Sequence, residues 1–75
     1  MSLKELFRQK KITQEGICLE LKDRFRVYKY QQQISDWIKG VRLIDLQSAY
    51  YISKILNVDM SLVAEASMRS VGLIK

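Results

Sequence analysis

Histidine and proline are absent from the 75 residues of this chain, and cysteine occurs once, at Cys18. Zinc sites are built from several Cys and His ligands, so we expect no metal site and no cofactor. One thiol forms no disulfide within the chain, and acid–base catalysis near neutral pH lacks the side chain that it most often uses. The composition therefore argues against an enzyme. Cys18 is predicted to be a small core residue and not a reactive thiol.

Long hydrophobic runs are also absent, since no apolar stretch approaches the roughly 20 residues that a transmembrane helix requires. No membrane partner is therefore expected. The first residues show no signal-peptide pattern, which predicts a cytoplasmic protein. A length of 75 residues fits one small domain, and a hydrophobic fraction of 48% is enough for a core.

The formal net charge is +5, and the excess lies in the first part of the chain. Residues 1–42 contain ten Lys and Arg against five Asp and Glu, whereas residues 43–75 contain three of each kind. A one-sided positive field favours a polyanion, either nucleic acid or an anionic membrane surface. The same charges also serve to keep a small protein in solution.

Helical signals dominate, beginning with a capping box formed by Ser2 and Glu5. Helix 1 is predicted over residues 3–11, with basic residues gathered in its last turn, where the helix dipole favours them. Thr13 is predicted to cap helix 2, and Gly16 is expected where a neighbouring helix approaches closely. The apolar stripe of helix 2 consists of Ile17, Cys18 and Leu21.

Residues 22–29 follow no regular pattern. They extend helix 2, form an extended turn, or do both. Their apolar members are expected to pack against the core, and Leu19 is expected to pack under the turn. Those apolar members are Phe25, Val27 and Tyr28. The basic members, which are expected to stay outside, are Lys22, Arg24, Arg26 and Lys29.

Helix 3 is predicted over residues 30–39 and ends at Gly40 in the left-handed conformation. Its apolar stripe is Ile34, Trp37 and Ile38, which makes Trp37 a core residue and not a base-stacking platform.

Asp45 is predicted to cap helix 4, Asn57 to end it, and Asp59 to cap a short helix 5. The inward stripe expected for helix 4 is Leu46, Ala49, Tyr50, Ile52, Ser53 and Leu56. The domain is predicted over residues 1–67, and residues 68–75 are expected to form a tail that is frayed or takes part in a dimer.

Two short helices joined by a turn, with a polar outer face on the second, suggest a helix-turn-helix. The chain resembles the Cro/CI-type (XRE-like) helix-turn-helix regulators of phages and bacteria over roughly residues 3–63. The segments that carry the resemblance are residues 3–6, 12–15, 30–40 and 45–59. It implies an all-α, five-helix, lambda-repressor-like bundle, here with an extended connection between helices 2 and 3. The function that it implies is a sequence-specific, double-stranded DNA-binding transcriptional regulator, a Cro-like repressor.

The resemblance implies that helix 3 enters the major groove. The base-reading residues are then Gln31, Gln32, Ser35 and Asp36. A glutamine carboxamide can pair with N7 and N6 of adenine, and a carboxylate can accept from cytosine N4. Asp36 serves equally well as an ion-pair partner of Arg24, Arg26 or Lys39. In isolation the glutamines also fit a solvated helix face.

Phosphate contacts position such a protein without reading sequence. The resemblance gives this role to Gln14, while Gln33 fits either a phosphate ligand or a solvent-covering side chain. The cations near the two ends of helix 3 are expected to bind phosphates. They are Lys22, Arg24, Arg26, Lys29, Lys39 and Arg42.

Three features depart from the regulators' pattern. The connection between helices 2 and 3 is several residues longer, the glycine after helix 2 is missing, and Tyr30 stands where the family has a Ser or Thr cap. A second function therefore stays open, that of a small phage antirepressor or modulator that binds a partner repressor protein. Its interface would comprise Tyr28, Tyr30, Leu43, Ile44 and the tail. A homodimer through helix 5 and the tail is also expected, because so small a chain grips one half-site weakly.

Overall fold

A computed structural model describes residues 1–74 and contains five α-helices. They are α1 Leu3–Gln9, α2 Gln14–Phe25, α3 Gln31–Lys39, α4 Leu46–Leu56 and α5 Met60–Ser70. No strand occurs among these residues, so the predicted all-α class with five helices is confirmed. Within the same residues, every helix is too short or too polar to cross a membrane.

The helices begin where the sequence predicts. The Ser2 Oγ accepts from the Glu5 amide at 3.2 Å, and the Thr13 Oγ1 accepts from the Gly16 amide at 3.0 Å. The Asp45 Oδ2 accepts from the Ser48 amide at 3.0 Å. Asp59 stands at the cap position of α5 but makes no capping bond with its side chain. Three of the four expected caps are thus confirmed as hydrogen bonds.

The expected stops at Gly40 and Asn57 are confirmed, since both residues adopt left-handed backbone angles. Helix α1, however, ends at Gln9, two residues before the expected end. The reason is Lys11, whose φ of 56° turns the chain so that the Ile12 amide donates to the carbonyl of Phe7. The last turn of α1 therefore contains Arg8 as its basic residue, and the next two lysines lie beyond the helix.

The connection combines two of the expected forms. Helix α2 continues to Phe25, and residues 26–30 are not helical. The Phe25 ring packs 4.7 Å from the ring of Tyr51, and Val27 packs against the core, as expected. Tyr28 does not, because 69% of it is exposed. Leu19 is exposed as well, since Ile17 and Leu21 occupy the inward face of α2.

The core draws on every helix, and Trp37 is buried in it as predicted. Its members are Leu3, Leu6, Phe7, Ile17, Leu21, Ile34, Trp37, Ile44, Ala49, Ile52, Leu56, Val63 and Ala66. Ile44 was expected at the surface, but it is covered where its amide bonds the Ser67 hydroxyl. Cys18 and Ile38 are half-buried at the edge of the core.

Two further expectations are wrong. Leu46 and Tyr50 face solvent, because the inward stripe of α4 is rotated toward Ser48 and runs through Ala49 and Ile52. Gly16 meets no neighbouring helix. A Cβ at that position would lie against the side chain of Ile12 instead.

The carboxyl end of α5 joins three parts of the chain. Helix α5 runs to Ser70, beyond the boundary expected at residue 67, so residues 68–70 are helical and not frayed. The Ser70 Oγ accepts from the Leu3 amide at 3.1 Å, and the Ser67 Oγ accepts from the Ile44 amide at 2.9 Å. A Cβ on Gly40 would overlap the carbonyl oxygen of Ser70. Residue 75 of the expected tail lies outside the described residues.

Gly40→Ala is expected to lower the free energy of unfolding by on the order of 2–3 kcal/mol, because alanine is strained at this φ and its methyl group meets the backbone of Ser70. Gly72 is the matched control, since its φ is also positive and a Cβ added there would meet no atom within 4 Å. Gly72→Ala should cost only the backbone strain, about 1 kcal/mol. Urea unfolding followed by circular dichroism measures both variants. Equal losses would show that the contact with Ser70 contributes nothing.

Candidate nucleic-acid interface

The outward face of α3 carries the four side chains predicted to read bases. Ile34 and Trp37 bury the opposite face of this nine-residue helix. Because a helix repeats every 3.6 residues, the positions on the other side of the helix form a stripe that faces away from the core. On this stripe Gln31, Gln32 and Lys39 are exposed, and Ser35 and Asp36 are half-buried. The leading edge of the helix is thus open to a partner.

Asp36 is the centre of a polar network on that face. Its Oδ1 accepts from Gln32 Nε2 at 2.9 Å, and its Oδ2 lies 3.5 Å from Arg42 Nε. None of the three cations expected to pair with Asp36 does so, and Arg24 pairs with Glu20 instead at 3.4 Å. Arg42 offsets the charge of the carboxylate, which would otherwise repel a phosphate.

The end of α3 explains why Arg42 reaches Asp36. The Gly40 amide donates to the carbonyl of Trp37, and the Val41 amide donates to the carbonyl of Asp36 at 2.9 Å. This is a Schellman motif, in which the left-handed glycine folds the chain back over the last turn. The guanidinium of Arg42 is thereby carried alongside the carboxylate of Asp36.

Gln33 caps α3 from within. Its Oε1 accepts from the Tyr30 amide at 2.9 Å, which satisfies a donor at the start of the helix although Tyr30 has no capping oxygen in reach. Gln33 is half-buried in this position. Its side-chain nitrogen Nε2 is therefore the atom that remains for the phosphate contact predicted from the sequence.

Two open grooves meet at Tyr30. The polar groove, of about 580 Å³, is lined by Tyr30, Gln32, Gln33, Asp36, Trp37, Arg42, Leu43 and Asp45. The tyrosine groove, of about 310 Å³, is lined by Cys18, Leu19, Lys22, Tyr28, Lys29 and Tyr30. The amino end of α3 is thus bordered by two of the predicted phosphate-binding cations, Lys22 and Lys29, while Arg42 lines the polar groove alongside Asp36.

Asp45 lines the polar groove and interacts electrostatically with Lys29. Partial burial alone would raise the pKa of the Asp45 carboxyl. Hydrogen bonding from Ser48 and the positive charge of Lys29 together outweigh it, so this pKa lies below its ordinary value. Asp45 is therefore ionised at neutral pH, and Lys29 lies close enough to interact with its carboxylate.

The other predicted phosphate ligands lie elsewhere. Gln14 lines a shallow groove together with Ile38, which lies near the carboxyl end of α3, roughly 10 Å along the helix axis from Gln31. Arg24 lies with its guanidinium carbon 5.2 Å from the centre of the Phe25 ring. Arg26 is exposed at the end of α2.

Lys4 and Arg8 line the same shallow groove as Gln14, and the sequence did not single them out. The amphipathic pattern of α1 places both residues on its outer face. Only the packing of the helices shows that this face adjoins the carboxyl end of α3. Lys4, Arg8 and Lys39 thus place three cations near the carboxyl end of α3.

Cys18 lies at the floor of the tyrosine groove. Its Sγ donates to the carbonyl of Lys29 at 3.5 Å, which holds the connection beside α2. Burial raises the pKa of the Cys18 thiol, and the carboxylate of Glu15 raises it further. The thiol is therefore protonated at neutral pH.

Among residues 1–74, no three His, Cys, Asp or Glu side chains lie close enough together to hold a metal ion. Comparisons of this chain with protein-family models, with curated proteins and with solved structures find no significant match. The assignment of a function therefore rests on the residues of the chain and their geometry.

We expect Cys18 in the folded protein to react with iodoacetamide more slowly at pH 8 than in the urea-unfolded chain, because the thiolate is the reactive form and its pKa is raised by burial. The rate should rise with pH through a midpoint above that of the unfolded control. Glu15→Gln should move the midpoint down, since it removes a neighbouring negative charge. Coincident pH profiles of folded and unfolded protein would contradict the assignment of Cys18 to the groove floor.

Proposed function

We propose that the protein is a sequence-specific, double-stranded DNA-binding transcriptional regulator, a Cro-like repressor in a lambda-repressor-like bundle that inserts α3 into the major groove. The observation that carries the proposal is the outward face of α3, where Gln31 and Gln32 lead an exposed stripe with cations at both ends of the helix. A helix of this kind fits the width of the major groove, where each base pair presents its own pattern of donors and acceptors.

In this proposal Gln31 and Gln32 read adenine, and Asp36 accepts from cytosine N4. Gln32 exchanges its bond to Asp36 for a base edge, so the network in the free protein holds the side chain ready on the correct face. Ser35 lies between them on the same stripe and donates or accepts through its hydroxyl.

The phosphate contacts are distributed along α3. Lys22 and Lys29 bind the backbone at the amino end of α3, and Gln33 contributes its side-chain nitrogen there. Arg42 binds the backbone beside Asp36. Gln14 and Lys39 grip it at the carboxyl end, joined by Lys4 and Arg8. Arg24, on the last turn of α2, and Arg26, just after the helix, reach a more distant phosphate. Each cation that binds a phosphate adds about one unit to the slope of affinity against salt.

Selection from a random duplex library should yield one enriched site. Gln31→Ala or Gln32→Ala should then lower the preference for that site over random duplex by about 1–3 kcal/mol, because a bidentate base contact is lost. The affinity of the two glutamine variants for random duplex should remain unchanged. Lys29→Ala or Arg42→Ala should weaken both complexes and flatten the salt slope by about one unit.

The control for the glutamine variants is Gln47→Ala, because Gln47 is an exposed helical glutamine on α4. Binding isotherms at several salt concentrations give all of these quantities. Preference that survives in both α3 variants, or that falls equally in the Gln47 variant, would remove base reading from α3.

A homodimer is part of the proposal, and we place its interface on exposed apolar side chains next to the expected surface of α5 and the tail, where Leu73 and Ile74 are exposed as well. We name the apolar patch by its members, Val41, Leu43, Leu46 and Tyr50. It borders a groove to which Ala64 and Met68 of α5 also contribute. The patch thus has both protruding side chains and a recess, which a two-fold interface between identical surfaces requires. Two α3 helices would then meet successive major grooves roughly 34 Å apart.

Leu46→Glu is expected to convert a dimer into a monomer in sedimentation equilibrium, because Leu46 is 74% exposed and a charge placed there would be buried twice in a two-fold contact. Leu19→Glu is the control, since Leu19 is also an exposed helical leucine but lies on α2. A wild-type chain that remains monomeric at high concentration, or a Leu46 variant that remains dimeric, would contradict the patch as the interface.

The modulator function is the second candidate, favoured by the exposure of Tyr28 and Tyr30, which reaches 81% at Tyr30. In it the protein is a small phage antirepressor that binds a partner repressor through these side chains. If no duplex is enriched while a repressor protein is retained in a one-to-one complex, this function replaces DNA binding.

A further inference from the structure

The tyrosine groove is an apolar surface that no part of the described chain covers. Leu19 is 52% exposed on one wall, and Tyr28 and Tyr30 are more exposed on the other. These three side chains and Cys18 line one continuous recess. An apolar recess with a polar rim on a small protein marks an interaction site.

The groove is held in shape by the backbone. Arg26 adopts a left-handed conformation with φ of 57°, so the chain reverses at the end of α2. The Val27 amide then donates to the carbonyl of Leu21, and the carbonyl of Lys29 accepts from Cys18 Sγ. Residues 27–30 are thus tied along the side of α2, and a partner would meet a formed recess.

The charge around the groove indicates what it would bind. Lys22 on α2 and Lys29 on the connection both line the recess, and the positive charge of Lys29 also lowers the pKa of Asp45 in the adjoining polar groove. Lysine places its ammonium group at the edge of an apolar surface that its own stem helps to cover. An apolar floor bordered by lysines complements a segment that alternates apolar side chains with carboxylates.

The lining favours a protein segment over an unpaired nucleotide strand. Leu19 and Cys18 offer aliphatic and thiol surface, which suits Leu or Phe side chains. A base would gain its binding energy by stacking on an aromatic face, which Tyr28 and Tyr30 supply on one wall but Leu19 does not supply on the other. The two lysines also supply too few cations to follow a strand of phosphates.

We propose that the tyrosine groove binds an acidic, amphipathic segment of a partner protein, and that this segment competes with duplex DNA for the amino end of α3. The competition rests on the proposed DNA-binding function, whereas the groove itself does not. Tyr30 belongs to both grooves, and Lys22 and Lys29 are proposed phosphate ligands. The carboxylates of a bound acidic segment would pair with the same lysines that are proposed to bind DNA phosphates.

The first experiment selects 16-residue peptides from a displayed random library on the immobilised full chain. The selected peptides should be rich in Asp and Glu, with Leu or Phe at helical spacing. Each should slow alkylation of Cys18 several-fold, because this thiol is the only one in the chain and lies at the groove floor. Selection of basic or neutral peptides, or of none, would overturn the proposal, as would protection of Cys18 by a dT oligonucleotide but not by the peptides.

Groove variants locate the binding. Leu19→Ser and Tyr28→Ser should each weaken the selected peptide by about tenfold, since a buried apolar anchor is lost. Lys22→Glu should weaken it similarly by reversing a charge. Gln47→Glu adds the same negative charge outside the groove and should leave the affinity unchanged. Both serine substitutions are at exposed side chains, and circular dichroism confirms the fold. Equal binding by the serine variants and the wild type would place the peptide elsewhere.

A displacement assay separates the two proposals. The peptide should release a fluorescent duplex from the wild type, and Leu19→Ser should still bind the duplex but retain it when the peptide is added. If the duplex binds and the peptide does not release it, the competition is refuted. If no duplex binds but the acidic peptide binds in a way that depends on Leu19, DNA binding fails and the groove proposal stands on the modulator function.

Discussion

The carboxyl end of α5 is the constraint on which the rest of the structure depends. The backbone of Ser70 lies against Gly40 at the end of α3, and the Ser70 hydroxyl accepts from the first residue of α1. One turn earlier, Ser67 accepts from Ile44, just before α4. Helices of seven to twelve residues are not stable alone, so their packing decides where each one points. The direction of α3 is therefore set at its far end, by α5, as well as by its connection to α2.

The same end of α3 also sets the charge of the proposed DNA-binding face. Gly40 stops the helix and reverses the chain, and this reversal brings Arg42 to the carboxylate of Asp36. Without that partner, Asp36 would place an uncompensated negative charge in the middle of the stripe led by Gln31 and Gln32. One backbone motif thus ends the helix, allows the contact with α5 and places a cation beside the carboxylate on the proposed DNA-binding face.

Local signals predicted the helices well, whereas packing between helices could not be predicted. The caps and stops act on amides or dihedral angles within a few residues, so they can be predicted from the adjacent sequence. They are Ser2, Thr13, Gly40 and Asn57. The solvent exposure of Leu46 depends instead on which neighbours cover α4, and periodicity alone gives no width for a buried stripe. The pairing of Arg42 with Asp36 and the position of Lys4 beside α3 likewise depend on how the chain returns.

The unusual connection and the tyrosine groove have one structural cause. A non-glycine residue in the left-handed region costs on the order of 1 kcal/mol or more, and Arg26 adopts this conformation at the end of α2. The packing of Phe25 on Tyr51 and of Val27 against the core offsets this cost. The residues that follow include Tyr28 and form a wall of the groove. That wall ends at Tyr30, the cap of α3. The connection between α2 and α3 therefore places an apolar docking surface beside the helix proposed to read DNA.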